Sequence, residues 1–227
     1  MRNIYINESL PLPELLVAIA EEFGTQAAFS TSLSYEDQLI THYIFSQDLP
    51  IRVFTLDTGR FFPETYSVLQ STRERYGKNI EVFFPETNAV QNLISQKGPS
   101  SFYESLENRK ECCFVRKVEP LNRALEGVKC WITGLRAEHS ENRSALSVIE
   151  WDEQRQIHKA NPLANWTFEE VKKEISTHRI PYNSLHDKGF VSIGCQPCTR
   201  AIQEGESFRA GRWWWEDNNK KECGLHK

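Results

Sequence analysis

The sequence lacks long hydrophobic runs, and no stretch approaches the roughly 18 apolar residues that a transmembrane helix requires. Its first residues, MRNIYINESLPLPELL, lack the apolar core and small-residue cleavage site of a signal peptide. With 11 glycines and 10 prolines in 227 residues, it also lacks the composition of a fibrous or low-complexity chain. These absences predict a soluble cytosolic protein without a membrane partner, organised as one main α/β domain.

The sequence also lacks a large excess of either charge, because its 27 basic and 31 acidic residues leave a formal net charge of only −4. This balance gives no general electrostatic reason to bind nucleic acid, so any basic site must be local. The glycine patterns GxxxxGK[ST] and GxGxxG are absent. Neither a Walker-type NTPase nor a dinucleotide enzyme is therefore indicated.

Hydrophobic periodicity alternates between strand and helix along the first 135 residues. A proline at 63 opens one predicted helix, and Gly24 is suited to end the first one. Such alternation predicts a doubly wound, mainly parallel sheet with helices on its faces, followed by a C-terminal extension. The predicted strands are 26–29, 51–56, 80–84 and 130–135, and the predicted helices are 15–23, 36–47, 63–76, 89–96, about 114–125 and 168–178.

Three loops come after predicted strands and would lie at the carboxyl edge of such a sheet, where ligands bind. They are Ser30-Thr31-Ser32, Asp57-Thr58-Gly59 and Gly134-Leu135-Arg136. The first offers hydroxyls and a helix N-terminus to an anion or a nucleotide. The sequence therefore predicts one ligand crevice formed by these loops.

Two cysteine pairs, Cys112-Cys113 and Cys195-x-x-Cys198, are separated by 82 positions and can meet only through the fold. In a reducing compartment, four thiols suit Zn²⁺ or an iron–sulfur cluster better than disulfides. Adjacent cysteines favour the cluster over a zinc ribbon, whereas buried thiols without a metal are the simpler alternative. The cations flanking the first pair would stabilise a negatively charged cluster or hold an anionic substrate; they are Lys110, Arg116 and Lys117.

Residues 1–215 are predicted to form the α/β domain, and residues 216–227 a mobile polar tail that carries Cys223. Lys220 and Lys221 precede this cysteine and His226 comes three positions after it. Nearby cations lower a thiol pKa, so Cys223 is either a reactive thiolate or an incidental surface cysteine. Cys130 lies in an apolar strand pattern and is predicted to be a small core residue.

Two arginines, Arg209 and Arg212, are three positions apart, close enough to grip one phosphate or sulfate. Three consecutive tryptophans, Trp213 to Trp215, come directly after them. Three neighbouring indoles cannot all face one core, so either at least one of them covers a site or an interface, or all three are simply packing residues.

Taken together, these segments resemble the assimilatory sulfonucleotide reductases, specifically the adenylyl-sulfate (APS) reductase type that carries an iron–sulfur cluster. The resemblance covers most of the chain, with the motifs in the same order. The residues that carry it are STSLSYEDQ (30–38), LDTGRFFPET (56–65), RKECCFVRKVEPL (109–121), GLRAEHSENRSAL (134–146), IPYNSLHDKGFVSIGCQPCTR (180–200), GRWWWE (211–216) and ECGLH (222–226).

The resemblance implies an adenine-nucleotide α-hydrolase-like fold and a [4Fe–4S] cluster held by Cys112, Cys113, Cys195 and Cys198. It implies that Cys223 is the nucleophile, which attacks the sulfate sulfur of APS and expels AMP, and that thioredoxin or glutaredoxin then releases sulfite. It implies a phosphosulfate-binding set of Lys117, Arg209, Arg212 and His226, and an adenosine site made by Ser30, Ser32, Leu56, Asp57, Gly59, Gly134 and Arg136. Self-association into a homo-oligomer is left open.

The sequence departs from the family at Leu33-Ser34, where many relatives have a glycine that allows the backbone to approach the nucleotide. Three rival functions remain. A 3′-phosphoadenylyl-sulfate (PAPS) reductase uses the same nucleophile but generally lacks the four cysteines. An ATP-pyrophosphatase would show an SGGxDS loop, which is absent, and a zinc-binding interaction module would hold zinc without nucleotide dependence.

Overall fold

The computed structural model describes residues 5–139 and 146–216, which divide into two compact units. Within the described residues, unit 1 consists of 5–55, 65–81, 127–139 and 146–183, and unit 2 of 56–64, 82–126 and 184–216. A single domain over 1–215 with a mobile tail after it stays a prediction, because residues 217–227 lie outside the described part.

A six-stranded sheet in the order β3-β2-β1-β4-β6-β5 forms the centre of the fold. The pairs β1–β2, β1–β4 and β4–β6 are parallel, and β5 runs antiparallel to β6. The mainly parallel α/β sheet is thereby confirmed. The strands are β1 Ala27–Ser30, β2 Arg52–Leu56, β3 Glu81–Phe83, β4 Cys130–Ile132, β5 Ile149–Asp152 and β6 Ile157–Ala160.

Seven α-helices accompany these strands in the described residues, and none is long and apolar enough to cross a membrane. α3 has the predicted bounds, and α1 ends before Gly24, which has the positive φ of 52° expected there. A π-helical segment, Phe114–Val118, joins α5 to α6. The helices are α1 Leu12–Phe23, α2 Tyr35–Ser46, α3 Pro63–Tyr76, α4 Thr87–Lys97, α5 Leu106–Cys113, α6 Glu119–Ala124 and α7 Phe168–Thr177.

The structure differs from the predicted elements in three places. The helical run predicted from about 114 begins at Leu106, where the Ser105 side chain caps it by accepting from the Asn108 backbone N–H at 3.1 Å. The strand predicted over 130–135 ends at Ile132. The β5–β6 hairpin was not predicted, because its turn at 153–156, EQRQ, has no glycine or proline.

The core of unit 1 lies between the sheet and helices α1, α2 and α7. Leu16, Phe29, Leu39, Ile132 and Val171 are all fully buried there and represent five of its elements. Burial of this kind contributes about 1.5–3 kcal/mol per large side chain. The loops at the ends of β1 and β4 therefore begin from a rigid base.

Candidate active site

The four paired cysteines line one cavity in unit 2. Cys112 and Cys113 are the last two residues of α5, and Cys195 and Cys198 lie around a short 3₁₀ turn. All four are free thiols with only 8–9% of their surface exposed. The fold thus brings together thiols that the sequence places far apart.

One face of the helical run that begins with α5 supplies five of the eleven residues that line the cavity. Arg109, Cys112, Cys113, Arg116 and Lys117 all line it. Their spacing of i, i+3, i+4, i+7 and i+8 is that of one helical stripe. The stripe therefore combines two thiols with three cations.

Cations from elsewhere in unit 2 complete the wall. Arg60 lies over the Phe102 ring at 4.7 Å, and Arg212 lies over the Trp213 ring at 4.7 Å. The sequence motifs contain Arg60 and Arg109, but only the fold identifies them as cavity residues. Lys110, the third cation beside the cysteine pair, is exposed.

The loop after β2 contacts the second cysteine pair. The Cys195 thiol donates to the Thr58 hydroxyl at 3.3 Å, and Arg116 Nη1 donates to the Thr58 carbonyl at 2.6 Å. The Gln196 backbone N–H donates to the Arg60 carbonyl at 2.8 Å. Thr58 therefore connects Cys195 to the α5 stripe.

Burial disfavours the thiolate forms of Cys112 and Cys198. It raises the pKa of Cys198 to about 12, helped by Cys195 and opposed by Lys117 and Arg212. Burial also raises the pKa of Cys112, against the cations Arg60 and Arg116. A bound cationic centre would therefore favour thiolates at Cys112 and Cys198, as in metal–thiolate sites.

The donor set of the cavity, four thiols with buried N–H groups beside them, is chemically suited to a metal–sulfur group. Among the described residues, no three His, Cys, Asp or Glu side chains are grouped so as to hold a single ion. A lone zinc ion would need all four sulfurs at about 2.3 Å. Two buried N–H groups of cavity-lining residues, Arg212 Nε and Trp213 Nε1, have no acceptor in the described structure. Sulfur atoms of a polynuclear group would supply acceptors for such donors.

The two arginines of the predicted phosphosulfate set lie on Trp213. Arg209 and Arg212 lie 5.8 and 4.7 Å from the centre of its ring. Arg212 Nη1 also donates to the Ile193 carbonyl at 3.3 Å. A Cβ on Gly194 would overlap the Arg212 guanidinium, so glycine there makes room for this arginine.

The three tryptophans point in different directions, as the sequence predicts. Trp213 is 1% exposed and belongs to the cysteine cluster, whereas Trp214 is 40% exposed. Trp215 packs edge-on against Tyr103, with ring centres 4.4 Å apart.

The loop after β1 in unit 1 is organised by a carboxylate that sequence reasoning missed. Asp37 Oδ2 accepts the backbone N–H of Ser32 at 2.5 Å and its hydroxyl at 2.6 Å. The Ser32 hydroxyl was expected to donate to a ligand, but in this arrangement it offers a ligand only its lone pairs. Ser30 Oγ accepts from Trp131 Nε1 at 2.8 Å.

Leu33 takes a left-handed backbone conformation that glycine adopts most readily. Its φ is 63°, its backbone N–H donates to Thr31 Oγ1 at 3.0 Å, and its side chain is fully buried. A left-handed non-glycine residue costs about 1–3 kcal/mol, which burial of a leucine offsets. The loop therefore forms its turn without glycine.

Burial raises the pKa of Asp37 to about 7. Its hydrogen bonds from Ser32 oppose this shift, and the charge of Glu36 adds to it. Asp37 can therefore change protonation state near neutral pH.

The predicted loop after β4 packs directly onto Asp37. A Cβ on Gly134 would overlap Asp37 Oδ1, so only glycine fits there. Arg136 is fully buried, donates to Glu36 at 2.9 Å and pairs with Glu138. Arg136 thus fixes the shape of this loop through carboxylates of its own unit.

The third predicted loop forms a tight turn in unit 2. Asp57 Oδ1 accepts the backbone N–H of Gly59 at 2.8 Å, and Gly59 has a φ of 69°. Leu56 is the last residue of β2. Two further predicted site residues, Cys223 and His226, lie outside the described residues.

Comparisons with known proteins agree on one family. Residues 26–201 match the model described as "Phosphoadenosine phosphosulfate reductase domain". A Burkholderia cepacia protein named adenosine 5'-phosphosulfate reductase is 50% identical over 95% of this chain and 86% of its own length. The protein of the same name from Allochromatium vinosum is 49% identical over 94% of this chain and 83% of its own length.

Solved structures support the same assignment. A phosphoadenylyl-sulfate (PAPS) reductase from Candida auris, a phosphate complex, is 29% identical with a TM-score of 0.72, covering 86% of this chain and 91% of that one. An FMN adenylyltransferase from Candida glabrata shares the fold alone, with a TM-score of 0.54 and 14% identity over 88% of this chain and 69% of that one. By its match over residues 26–201 and its half-identical relatives, the chain belongs to the phosphoadenosine phosphosulfate reductase domain family.

Proposed function

We propose that this protein is a cytoplasmic enzyme that reduces adenylyl sulfate to sulfite and AMP with electrons from thiols, in sulfate assimilation and cysteine biosynthesis. The observation that carries the proposal is the cation-lined cavity of four thiols. It occurs in a chain that is half identical to proteins named adenosine 5'-phosphosulfate reductase.

Cys223 is the proposed nucleophile. Its thiolate attacks the sulfate sulfur of APS, a sulfur–sulfur bond forms, and the bond from that sulfur to the AMP phosphate oxygen breaks. AMP leaves with the bonding pair, and the enzyme retains an S-sulfocysteine. Cationic charge at the phosphate stabilises this departure.

A dithiol protein, thioredoxin or glutaredoxin, completes the reaction. One of its thiolates attacks Cys223 Sγ and sulfite departs with the electron pair of the sulfur–sulfur bond. The second thiol then resolves the mixed disulfide and restores Cys223. The dithiol loses two electrons, and the sulfate sulfur gains them.

The substrate's charge is met by Lys117, Arg209, Arg212 and His226 in this proposal. Three of them have supporting geometry in unit 2: Lys117 lines the thiol cavity, and both arginines lie on Trp213. An anionic phosphosulfate is attracted to guanidinium groups, which present several donors at once.

The adenosine contacts are proposed at three loops. In unit 1 they are Ser30, Ser32, Gly134 and Arg136, where Asp37 and the paired Arg136 hold the loops in shape. In unit 2 they are Leu56, Asp57 and Gly59, whose turn is closed by the Asp57 side chain.

Cys112, Cys113, Cys195 and Cys198 are the proposed ligands of a [4Fe–4S] cluster. The bound cluster would supply fixed negative charge that orients Arg116, Lys117 and Arg212. Of these three, Lys117 and Arg212 would hold the anionic substrate. The cluster would not donate electrons, because Cys223 and the dithiol protein already supply them to the substrate.

PAPS reduction by the same steps is the second candidate function. It is favoured by the Candida auris structure, which is titled a PAPS reductase and covers most of this chain at a TM-score of 0.72. The two functions differ in the 3′-phosphate of the nucleotide.

Cys223→Ser tests the nucleophile, because it removes only the attacking sulfur. We expect the variant to keep its iron and to bind AMP like the wild type, yet to form no covalent adduct and release no sulfite. Intact-mass measurement detects the covalent adduct, and an assay with reduced thioredoxin measures the release of sulfite. Cys130→Ala is the matched control, since Cys130 is a core residue of β4 and 1% exposed. Sulfite release by Cys223→Ser at a substantial rate would contradict the assignment.

A further inference from the structure

The backbone of Arg60 is fixed beside the thiol cavity. Its N–H donates to the Thr58 hydroxyl at 3.2 Å, and its carbonyl accepts the Gln196 N–H at 2.8 Å. Gln196 lies between Cys195 and Cys198, and the Thr58 hydroxyl also accepts from the Cys195 thiol. Both polar groups of the Arg60 backbone are therefore connected to the turn that carries the second cysteine pair.

The side chain of Arg60 is fixed as well. Its Nη2 donates to the Pro99 carbonyl at 2.6 Å, and its guanidinium lies over the Phe102 ring at 4.7 Å. Phe102 is only 2% exposed, so the arginine rests on a buried ring whose face attracts cations. The guanidinium is thereby held at the cavity, which Arg60 lines together with the four thiols.

The charge of Arg60 is not neutralised by a carboxylate anywhere in the part of the chain that the structure describes. Arg109 lines the same cavity but differs, because its Nε donates to Glu216 at 2.6 Å. The charge of Arg60 reaches the thiols. Burial raises the pKa of Cys112, and the charge of Arg60 is the foremost influence that opposes this rise.

A fixed cation at this place favours a bound metal–sulfur group over the free thiols. Thiolates and sulfide give such a group net negative charge, whereas the buried free thiols are neutral when protonated. A cation in a partly buried site attracts that negative charge more strongly than a cation in bulk water does. Lys117 and Arg212 are the proposed partners of the substrate, so the charge of Arg60 is left to act on the group itself.

We infer that Arg60 is a further residue of the metal–sulfur site, whose guanidinium, held on Phe102 and Pro99, retains the proposed cluster by stabilising the negative charge of the cluster and its thiolate ligands. The inference rests on the [4Fe–4S] cluster of the proposed function and adds to it a residue that is not a ligand. Retention of the cluster can be measured without substrate and without turnover.

Arg60→Gln tests the inference on anaerobically purified protein, because glutamine keeps N–H donors but carries no charge. The measurement is the rate at which the protein loses iron to bipyridyl. This chelator is uncharged, so Arg60 neither attracts nor repels it. We expect iron to leave Arg60→Gln at least about threefold faster than it leaves the wild type, because the attraction between the guanidinium and the cluster is lost.

Arg60→Lys separates charge from packing, because lysine keeps the positive charge but lacks the planar group that lies on Phe102. We expect this variant to lose iron at a rate close to that of the wild type. Arg123→Gln is the matched control, because Arg123 also donates to a backbone carbonyl in unit 2, that of Phe84 at 2.5 Å, and lies outside the described lining of the cavity. Its rate of iron loss should equal that of the wild type.

Iron loss from Arg60→Gln at the wild-type rate would overturn the inference and leave the proposed function intact. Equally fast loss from Arg60→Lys and Arg60→Gln would also overturn it, since packing and not charge would then retain the cluster. If Arg60→Gln is purified without iron, wild-type iron content in Arg60→Lys supports the inference and loss of iron from both variants overturns it. Wild-type protein that holds zinc or no metal would reject the cluster of the proposed function together with the inference.

Discussion

At the scale of single residues, Asp37 determines the shape of two loops in unit 1. One carboxylate oxygen accepts both donors of Ser32, and the other lies where a side chain on Gly134 would be. The sequence directs attention to the serines, because hydroxyls after a strand are typical of ligand loops. The carboxylate that holds them, Asp37, lies in the first turn of α2, where acidic residues are common.

Asp37 gives the stability of the protein a pH dependence of defined sign. Burial raises the pKa of Asp37 from 3.8 to about 7 in the folded state. Its stabilising contribution to the free energy of unfolding is therefore fully present below pH 3.8 and is lost as pH rises through about 7. Asp37→Asn keeps an acceptor for Ser32 but does not titrate. Between pH 5 and 8 we expect the variant's free energy of unfolding to rise relative to that of the wild type by about 2–3 kcal/mol.

Urea unfolding across this pH range measures the difference. Asp48→Asn is the control. Lys78 lowers the pKa of that exposed carboxyl from 3.8, so any pH dependence of stability that Asp48 causes lies at pH values below 3.8. A difference between Asp37→Asn and wild type that stays flat from pH 5 to 8 would contradict the assigned titration.

At the scale of elements, the run from α5 through the π-helical segment to α6 builds the cavity. Its functional stripe consists of thiols and cations, so the hydrophobic periodicity that reveals other helices is missing from LENRKECC. This explains why the sequence predicts a helix only from about 114, and why Arg109 escapes attention. Two helices were predicted closely: α1, which has an apolar face and ends before Gly24, and α3, which begins at Pro63.

Loss of one thiol of the stripe should remove the bound group. We expect Cys112→Ser to lose iron and acid-labile sulfide, because Cys112 is one of the four thiols around the cavity. Cys130→Ala should retain both, since burial raises the pKa of Cys130 to about 12 and its strand lies in unit 1. Iron and sulfide assays on anaerobically purified protein check this. A Cys112→Ser protein with a full complement of iron would show that Cys112 is not a ligand.

At the scale of the whole molecule, the sequence predicts the α/β class and the family, because several motifs occur in the family's order. It does not predict the β5–β6 hairpin, which has no turn signal, or the division into two units, which depends on contacts between distant segments. The Arg60 and Arg109 contacts depend on the same long-range packing. Local patterns identify elements and motifs, whereas partners that meet only through the fold need the structure.

The central claim is that Cys223 accepts the sulfonate of APS. The most direct test is native mass spectrometry of anaerobically purified protein mixed with APS or with PAPS, without reductant. We expect cluster-bearing protein to gain one sulfonate on Cys223 from APS. An adduct from PAPS alone, or no adduct with either nucleotide on protein that carries zinc, would contradict it.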